Sequence, residues 1–148
     1  RDFYQLRGER LYTKSVVVER GAGWYQAESD GKKSWRWARD RATLRLTNRG
    51  AGPAAVRMSC RLAAFTDRHL GLRVNGKEIW NTPLWPAARP HEFPVIVVPP
   101  GETAVVEFAT DAPSMRLENG DPRELSLCVF GLIIDVARAE PVPQGGGS

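Results

Sequence analysis

The chain has 148 residues, and 42% of them are hydrophobic, a proportion typical of a globular protein and not of a disordered one. The formal net charge is +4, from 21 basic and 17 acidic residues, so the chain lacks the charge excess of a nucleic-acid-binding polycation. No apolar run approaches the roughly 20 residues that a helix needs to cross a bilayer.

The two ends of the chain differ in composition from its middle. Residues 1–13 carry apolar side chains such as Phe3, Leu6 and Tyr12, and we expect an N-terminal extension that packs on the domain or leads into it. Residues 139–148 end in a Gly-Gly-Gly-Ser run typical of a flexible linker. Because the chain starts without Met or a signal peptide, we expect a piece of a longer or processed protein, with the folded domain at residues 14–138.

Between these ends, apolar and polar residues alternate with a period of two, the pattern of strands with one buried and one wetted face. Asn75-Gly76 predicts a tight hairpin, and other turns are predicted at residues 48–53, 99–102 and 119–122. The clearest alternation spans residues 42–47, 56–64, 70–75 and 104–109, and further strands are predicted at 15–19, 34–39, 77–80, 92–98 and 125–136.

The spacing of strands and turns predicts the fold class. No segment carries a convincing helical stripe, and short strands separated by frequent turns are typical of two sheets that bury one core between them. We therefore predict an all-β fold, an antiparallel, jelly-roll-like β-sandwich of roughly eight to ten strands, in preference to a closed barrel.

Two cysteines, Cys60 and Cys128, lie inside apolar strand-like segments. Each fits a buried free thiol, which packs as a small hydrophobic group. If both side chains face the same core, a disulfide between two strands is the alternative. Two cysteines do not identify the redox compartment.

The motifs of common catalytic and metal sites are absent. The sequence has no Gly-x-Ser-x-Gly elbow, no His-Glu-x-x-His and no phosphate-binding glycine loop. His69 and His91 stand outside any metal-binding or catalytic spacing and are interpreted as structural or surface residues. Acidic residues collect in predicted turns, but no pair is marked as the carboxylates of a glycosidase, and no EF-hand-type calcium loop is present. We predict no catalysis, no cofactor and no metal site.

Aromatic residues are concentrated between positions 24 and 37. Such rings stack on the C–H faces of sugars or on bases, while neighbouring acidic and basic side chains bond polar groups of the ligand. Alternatively the rings belong to the core, because tryptophan is highly buried on average. Alternation places the two tryptophans of the predicted strand at 34–39 on one face and its central arginine on the other. The candidate ligand-binding residues are Trp24, Tyr25, Glu28, Trp35, Arg36 and Trp37.

Two further groups of residues have alternative interpretations. Trp80 and Trp85 frame residues 81–84, which predicts a second aromatic rim or a loop pinned to the core by its own rings. Four arginines fall on the polar phase of three strands, and if those strands are neighbours they form a basic face suited to an anionic glycan or phosphate. The default is a solvated face paired with Glu107 and its neighbours. The four are Arg45, Arg57, Arg61 and Arg73.

Three short motifs occur in a familiar order between about residues 16 and 136. They are Gly23-Trp24 followed by Glu28, the Trp35-Arg36-Trp37 strand, and Gly120-Asp121-Pro122-Arg123-Glu124-Leu125 before an apolar final strand. In this the chain resembles the small β-sandwich domains appended to bacterial cell-envelope glycosyltransferases and related polytopic membrane proteins. The resemblance implies an accessory domain like a carbohydrate-binding module, without catalysis of its own. Gln26-Ala27 and the longer link at residues 30–34 depart from the pattern, so the general plan transfers better than any ligand.

The leading hypothesis for function is a non-catalytic accessory domain that binds or positions cell-envelope polysaccharide for an attached or partner enzyme. The alternative is a structural or protein-interaction domain that supports oligomerisation of a membrane-associated protein and has no glycan affinity. The expected partner is a glycan or polysaccharide, or the rest of a larger membrane protein, and not nucleic acid; the oligomeric state is left open. The resemblance implies a location at the periplasmic or extracellular face of a bacterial membrane.

Overall fold

The computed structural model describes residues 3–6, 9–12 and 15–138, and every regular element in these ranges is a β-strand. Among these residues no helix is long and apolar enough to cross a membrane. The strands are β1 (Phe3–Leu6), β2 (Glu9–Tyr12), β3 (Val16–Arg20), β4 (Glu28–Ser29), β5 (Ser34–Ala38), β6 (Arg41–Asn48), β7 (Ala54–Ala63), β8 (Arg68–Val74), β9 (Lys77–Leu84), β10 (Arg89–Glu92), β11 (Ile96–Val98), β12 (Thr103–Thr110), β13 (Met115–Arg116), β14 (Glu124–Leu125) and β15 (Leu127–Arg138).

Most of these strands form two sheets that face each other. In the eight-stranded sheet, one side of β15 pairs with β5 and with β2; β5 then pairs with β4, and β2 with β1. The other side of β15 pairs with β7, which also pairs with β10 and β11. The five-stranded sheet has the order β3-β6-β12-β8-β9, and β13 and β14 form a separate pair. The chain crosses repeatedly from one sheet to the other, and every pairing is antiparallel except that of β2 with β15. The predicted jelly-roll-like β-sandwich is confirmed.

The core between the sheets follows the alternation seen in the sequence. In β6, Leu44 and Leu46 are fully buried, and their sequence neighbours point away from the core. In β7, Val56 and Leu62 are buried in the same way from the opposite sheet. Phe108 of β12 is the largest fully buried side chain of this core. Burial of these alternating apolar residues is the main stabilising contribution in such a sandwich.

Two predicted segments differ from the observed strands because of proline. Residues 81–84, for which an aromatic rim and a pinned loop were the alternatives, form the second half of β9, which tolerates Pro83 because β9 is the edge strand of its sheet. The single strand predicted at residues 92–98 is instead β10 and β11, which both pair with β7 and are interrupted around Pro94. Such interruptions, with several two-residue strands, raise the number of strands above the eight to ten expected.

The two cysteines are free and face opposite sides of the eight-stranded sheet. Cys60 belongs to the core, and burial raises the pKa of its thiol well above the usual range. Cys128 directly precedes Val129, a core residue of β15, so its side chain points to the outer face of the sheet. This arrangement excludes a disulfide between them, because the sheet backbone separates the two sulfur atoms.

The four arginines divide between the two sheets, so the condition for a common basic face is not met, and the pairing of Arg73 with Glu107 agrees with the default interpretation of a solvated face. Arg45 and Arg73 lie on the five-stranded sheet, where Arg73 forms an ion pair of 3.3 Å with Glu107. Arg57 and Arg61 lie on β7 of the eight-stranded sheet. The sequence shows which face of its own strand a residue occupies, because that depends on neighbouring residues. The sheet that the strand joins is decided by pairing with strands far away in the chain.

The buried Arg68 forms hydrogen bonds to both ends of the segment between β12 and β15. Arg68 is only 4% exposed, and its guanidinium donates to Ser126 Oγ, to Thr66 Oγ1 at 3.0 Å and to the carbonyl of Pro113 at 3.4 Å. These bonds replace part of the hydration that the guanidinium loses on burial. They hold β14 at the end of the sandwich, beside the aromatic residues discussed below.

Candidate functional site

A row of side chains crosses the outer face of the eight-stranded sheet. Glu28 of β4 pairs with Trp35 of β5, which pairs with Phe130 of β15, and Phe130 pairs with Arg61 of β7. Pro90 of β10 pairs with Arg61 and completes the row. Directly paired residues on one face of a sheet have Cβ atoms about 5 Å apart, so these side chains are neighbours along one line across the sheet. We call this set the transverse row.

Aromatic rings occupy this face, where a sandwich usually presents polar side chains to water. Trp35 lies 6.1 Å from Phe130, ring centroid to centroid, with the planes tilted by 45°. Trp37, two residues along β5, stacks on Phe65 at 4.5 Å with the planes 16° apart. All four rings are half-buried. One face of Trp37 is therefore covered by Phe65, whereas Trp35 and Phe130 meet at an angle and leave ring surface for a further contact.

The stacked pair covers one end of the outer face. Cys128, which pairs with Trp37 and with Ala63, is only 2% exposed although it points away from the core. Burial raises the pKa of this thiol to about 12, so the thiol is protonated at neutral pH and is not a nucleophile.

A groove of about 750 Å³ lies next to the transverse row. Its volume is in the range of small-molecule sites. Phe130, Ile133 and Pro90 supply apolar surface, and the polar lining includes Ser59, Arg61, Glu92 and Lys33. Apolar surface with a few hydroxyl, carboxylate and cationic groups is the composition that an amphipathic ligand such as a sugar requires.

Glu28, at one end of the row, belongs to a charge cluster with Arg123 and Asp121. Arg123 contacts the Glu28 carboxylate at 3.0 Å and the Asp121 carboxylate at 2.7 Å. Hydrogen bonds from the side chain and backbone of Arg123 hold the pKa of Asp121 below its usual range, and the two carboxylates raise the pKa of Arg123. This cluster joins β4 to the segment that precedes β14, which lies 95 residues away in the chain.

Tyr25 and Arg36 form hydrogen bonds next to this charge cluster, in the region we call the corner of the sheet. The Tyr25 hydroxyl donates to the carbonyl of Glu124 at 3.0 Å and accepts from the Glu124 N–H at 3.2 Å. Arg36 donates to the Tyr25 carbonyl at 2.8 Å, and Arg123 lies 5.5 Å from the centre of the Tyr25 ring. The strand alternation places Arg36 on the face of β5 opposite to its tryptophans. Tyr25 and Arg36 therefore hold the corner together.

Trp24 is the candidate residue most closely joined to the core. Its indole N–H donates to the carbonyl of Thr43 at 2.8 Å, and its ring meets Phe108 edge to face at 5.4 Å. The preceding Gly23 has φ of +95°, and a Cβ there would lie 2.0 Å from the carbonyl oxygen of Arg41, so only glycine fits. Trp24 is half-buried and packed against the core, and its ring is not part of the transverse row.

His91 lines the groove from β10 and has a perturbed pKa. Its ring meets Trp80 edge to face at 5.8 Å, and its buried Nε2 has no hydrogen-bond partner among the residues that the structure describes. Burial, assisted by the charge of Arg89, lowers the pKa of His91 below its ordinary value of 6.5. The folded protein therefore favours the neutral imidazole.

This lowered pKa predicts a pH dependence of stability. At a pH between the pKa of His91 in the folded protein and its higher pKa in the unfolded chain, the unfolded chain binds more protons. The free energy of unfolding therefore falls as the pH decreases below about 6.5, until His91 is protonated in the folded protein too. Urea unfolding across pH 5 to 8 is expected to show this fall in the wild type and a flatter profile in His91→Gln. Parallel profiles for the two proteins would contradict the assignment, even if the variant is less stable at every pH.

Within the described part of the chain, no three His, Cys, Asp or Glu residues lie close enough to hold a metal ion. The carboxylates nearest the aromatic row, Glu28 and Asp121, are engaged by Arg123. The predicted absence of catalysis and of a metal site stays a prediction.

Comparison with known proteins gives structural matches only. No protein-family model matches the chain, and no curated protein is significantly similar to it. A family 35 carbohydrate-binding module from Clostridium thermocellum is 13% identical with a TM-score of 0.46, over 85% of this chain and 100% of that one. A module of Clostridium stercorarium in complex with cellobiose is 13% identical with a TM-score of 0.43, over 82% and 86% of the two chains. The Bacillus thuringiensis Cry1Da tryptic core matches with a TM-score of 0.47 at 11% identity, over 84% of this chain.

In several larger proteins the chain matches only a part. It covers 24% of the Cry1Da core and 27% of a ruminal GH26 endo-β-1,4-mannanase, which is 14% identical with a TM-score of 0.47 over 88% of this chain. At these identities and TM-scores the similarity carries no argument about ligand or activity.

The sequence placed two tryptophans on the face that carries the groove, but none of the six candidate residues is among those that line the groove. The residues that do line it were not identified as a site. Phe130 was predicted only as part of an apolar strand, and Arg61 only as one of four dispersed arginines. A register shift in the pairing of β15 with β7, between Phe130 and Ile133, aligns Phe130 with Arg61. Gly131 lies within this irregularity with φ of +59°, and a glycine inside an apolar strand was the one signal available for it.

Proposed function

We propose that this domain is a non-catalytic module that binds carbohydrate on the outer face of its eight-stranded sheet. The observation that carries the proposal is the transverse row, in which Trp35 and Phe130 present angled aromatic surface beside a groove with polar lining. Sugar rings have apolar C–H faces that stack on aromatic rings and hydroxyl edges that bond to polar groups. The groove offers both kinds of contact to one ligand.

The predicted site residues have different roles in this proposal. Trp35 is the contacting ring, and Trp37, stacked on Phe65, extends the aromatic surface along the sheet. Glu28 bounds the end of the row, where it is held by Arg123. The remaining three residues hold the segment before β4 in place: Trp24 bonds to Thr43 of β6, Tyr25 bonds to Glu124 of β14, and Arg36 of β5 bonds to Tyr25.

Envelope polysaccharide is the ligand that the motif resemblance supports. The Glu28 motif and the motif at residues 120–125 meet through the Glu28–Arg123 ion pair, and Tyr25 bonds to Glu124 in the same corner. This contact brings the two motifs of the resemblance together in one part of the fold. By the same resemblance, we propose that the domain serves an attached or partner enzyme at the periplasmic or extracellular face of a bacterial membrane.

A glycan array on the domain, followed by titration calorimetry of the best ligand, tests the proposal. Trp35→Ala is expected to weaken binding by at least about tenfold, because a stacked aromatic ring is typically a dominant contact. Ile79→Ala is the control, since Ile79 is an exposed apolar residue on β9 of the other sheet. Its affinity is expected to equal that of the wild type.

Circular dichroism of each variant separates loss of binding from loss of fold. An array without any bound glycan, or equal ligand affinity in the wild type and a folded Trp35→Ala variant, would refute carbohydrate binding at this face. The first of these results would favour a structural or protein-interaction role.

A further inference from the structure

Two cationic side chains line the groove beside the transverse row, and one of them, Lys33, lies close enough to Asp30 to help lower the pKa of that carboxyl. The other is Arg61, and neither forms an ion pair with an acidic residue among those that the structure describes. Arginine and lysine are both fully charged at neutral pH. By contrast Arg123, at the far end of the row, is paired with two carboxylates.

Arg61 is held in place without losing its charge. One terminal nitrogen of its guanidinium donates to the carbonyl of Ala88 at 3.1 Å, and Ala88 also lines the groove. A carbonyl oxygen orients the guanidinium but does not neutralise it. The other N–H groups of the fork are left for a ligand, and a guanidinium fork matches the paired oxygens of a carboxylate, sulfate or phosphate.

The one acidic residue among those lining the groove, Glu92, is a diagonal cross-strand neighbour of Arg61. Glu92 pairs with Ser59, two residues along β7 from Arg61, and makes no ion pair with it. A carboxylate in this position accepts hydrogen bonds from sugar hydroxyl groups. The residues lining the groove thus include two cations and one anion, with Asp30 outside the lining but near Lys33. The formal charge of +4 on the whole chain adds an attractive field for anions.

From this arrangement, and resting on the proposed function, we infer that the groove selects an acidic carbohydrate, one whose sugar carries an oxyanion group that pairs with Arg61. The sugar ring stacks on Trp35 and Phe130, and the oxyanion group lies over the Arg61 side of the row. Lys33 adds a second positive charge at the groove. A carboxylate of a uronic acid and a sulfate or phosphate ester share this chemistry.

Calorimetry with matched oligosaccharides tests the inference. The probes are a tetragalacturonate, its fully methyl-esterified form, which keeps the sugar chain but removes the charge, and a sulfated oligosaccharide of the same length. The wild type is expected to bind a charged probe about tenfold more tightly than the methyl ester, and the preference is expected to shrink at high salt. The relative affinities of the carboxylated and sulfated probes identify the oxyanion group.

Arg61→Gln is expected to abolish the roughly tenfold preference for the charged probe over the methyl ester, measured as the ratio of the two affinities. Arg57→Gln is the matched control, because Arg57 is an exposed arginine on the same strand and face and does not line the groove. It is expected to keep the preference.

The outcomes separate this inference from the proposed function. Equal binding of charged and neutral probes, lost in Trp35→Ala, would overturn the acidic ligand and leave carbohydrate binding in place. A preference that survives in Arg61→Gln or disappears equally in Arg57→Gln would also overturn it. Binding of none of the probes, together with a glycan array that is empty for the wild type, would overturn both.

Discussion

Replacing Phe108 with alanine is expected to lower the free energy of unfolding by about 4 kcal/mol, the largest effect we predict for a single substitution. Phe108 is 1% exposed and lies at the centre of the core. Its ring meets Trp24 edge to face at 5.4 Å and Phe93 at 5.7 Å. Alanine would leave a cavity and remove both ring contacts, and Trp24 is the residue that connects the core to the candidate site.

Phe65→Ala is the matched control for this change. Phe65 is half-buried on the outer face and contacts Trp37 on one side, so its truncation opens no cavity inside the sandwich. We expect a loss of about 1 to 2 kcal/mol in that variant. Guanidinium unfolding of both proteins measures the difference. Equal losses, or a loss below about 2 kcal/mol for Phe108→Ala, would show that the core does not depend on this ring as described.

Replacing Asn48 with alanine is expected to cost about 3 kcal/mol, through hydrogen bonds instead of packing. Asn48 is completely buried at the end of β6. Its amide donates to the carbonyls of Val98 at 2.8 Å and Gly52 at 2.9 Å, and its side-chain oxygen accepts from the N–H of Gly50 at 2.8 Å. Without the side chain, three backbone groups of two loops lose their partners, and an unsatisfied buried polar group is strongly unfavourable.

Asn81→Ala supplies the same chemical change at an exposed site on edge strand β9 and is expected to alter stability by less than about 0.5 kcal/mol. Asn48→Asp is expected to be at least as damaging as Asn48→Ala, because it turns a donor toward the carbonyls of Val98 and Gly52 into an acceptor. Urea unfolding of the three variants measures these effects. An Asn48→Ala protein as stable as Asn81→Ala would refute the bridging role.

Only part of the role of Asn48 could be predicted from the sequence. The sequence placed it at the start of a turn, and asparagine is common there because its side chain bonds to nearby backbone. The bond to Gly50 is of this local kind. The bond to Val98 joins residues 50 positions apart, and no local pattern indicates it.

The amino-acid sequence by itself determined the features that depend on neighbouring residues. Alternation predicted the strands of the core, and the Asn75-Gly76 hairpin is confirmed, with both residues at positive φ between β8 and β9. The same alternation correctly separated Trp35 and Trp37 from Arg36 on the two faces of β5. These features follow from backbone geometry within a few residues, which is why a single sequence contains them.

The tertiary structure decided which of those strands are neighbours and in what register. Only the pairing of β4, β5, β15, β7 and β10 brings Glu28, Trp35, Phe130, Arg61 and Pro90 into one row. The same pairing separates Cys60 from Cys128 and divides the four arginines between two sheets. Strand order and register are set by the summed burial and hydrogen bonding of segments far apart in the chain, and a one-residue slip would turn Phe130 or Arg61 to the other face.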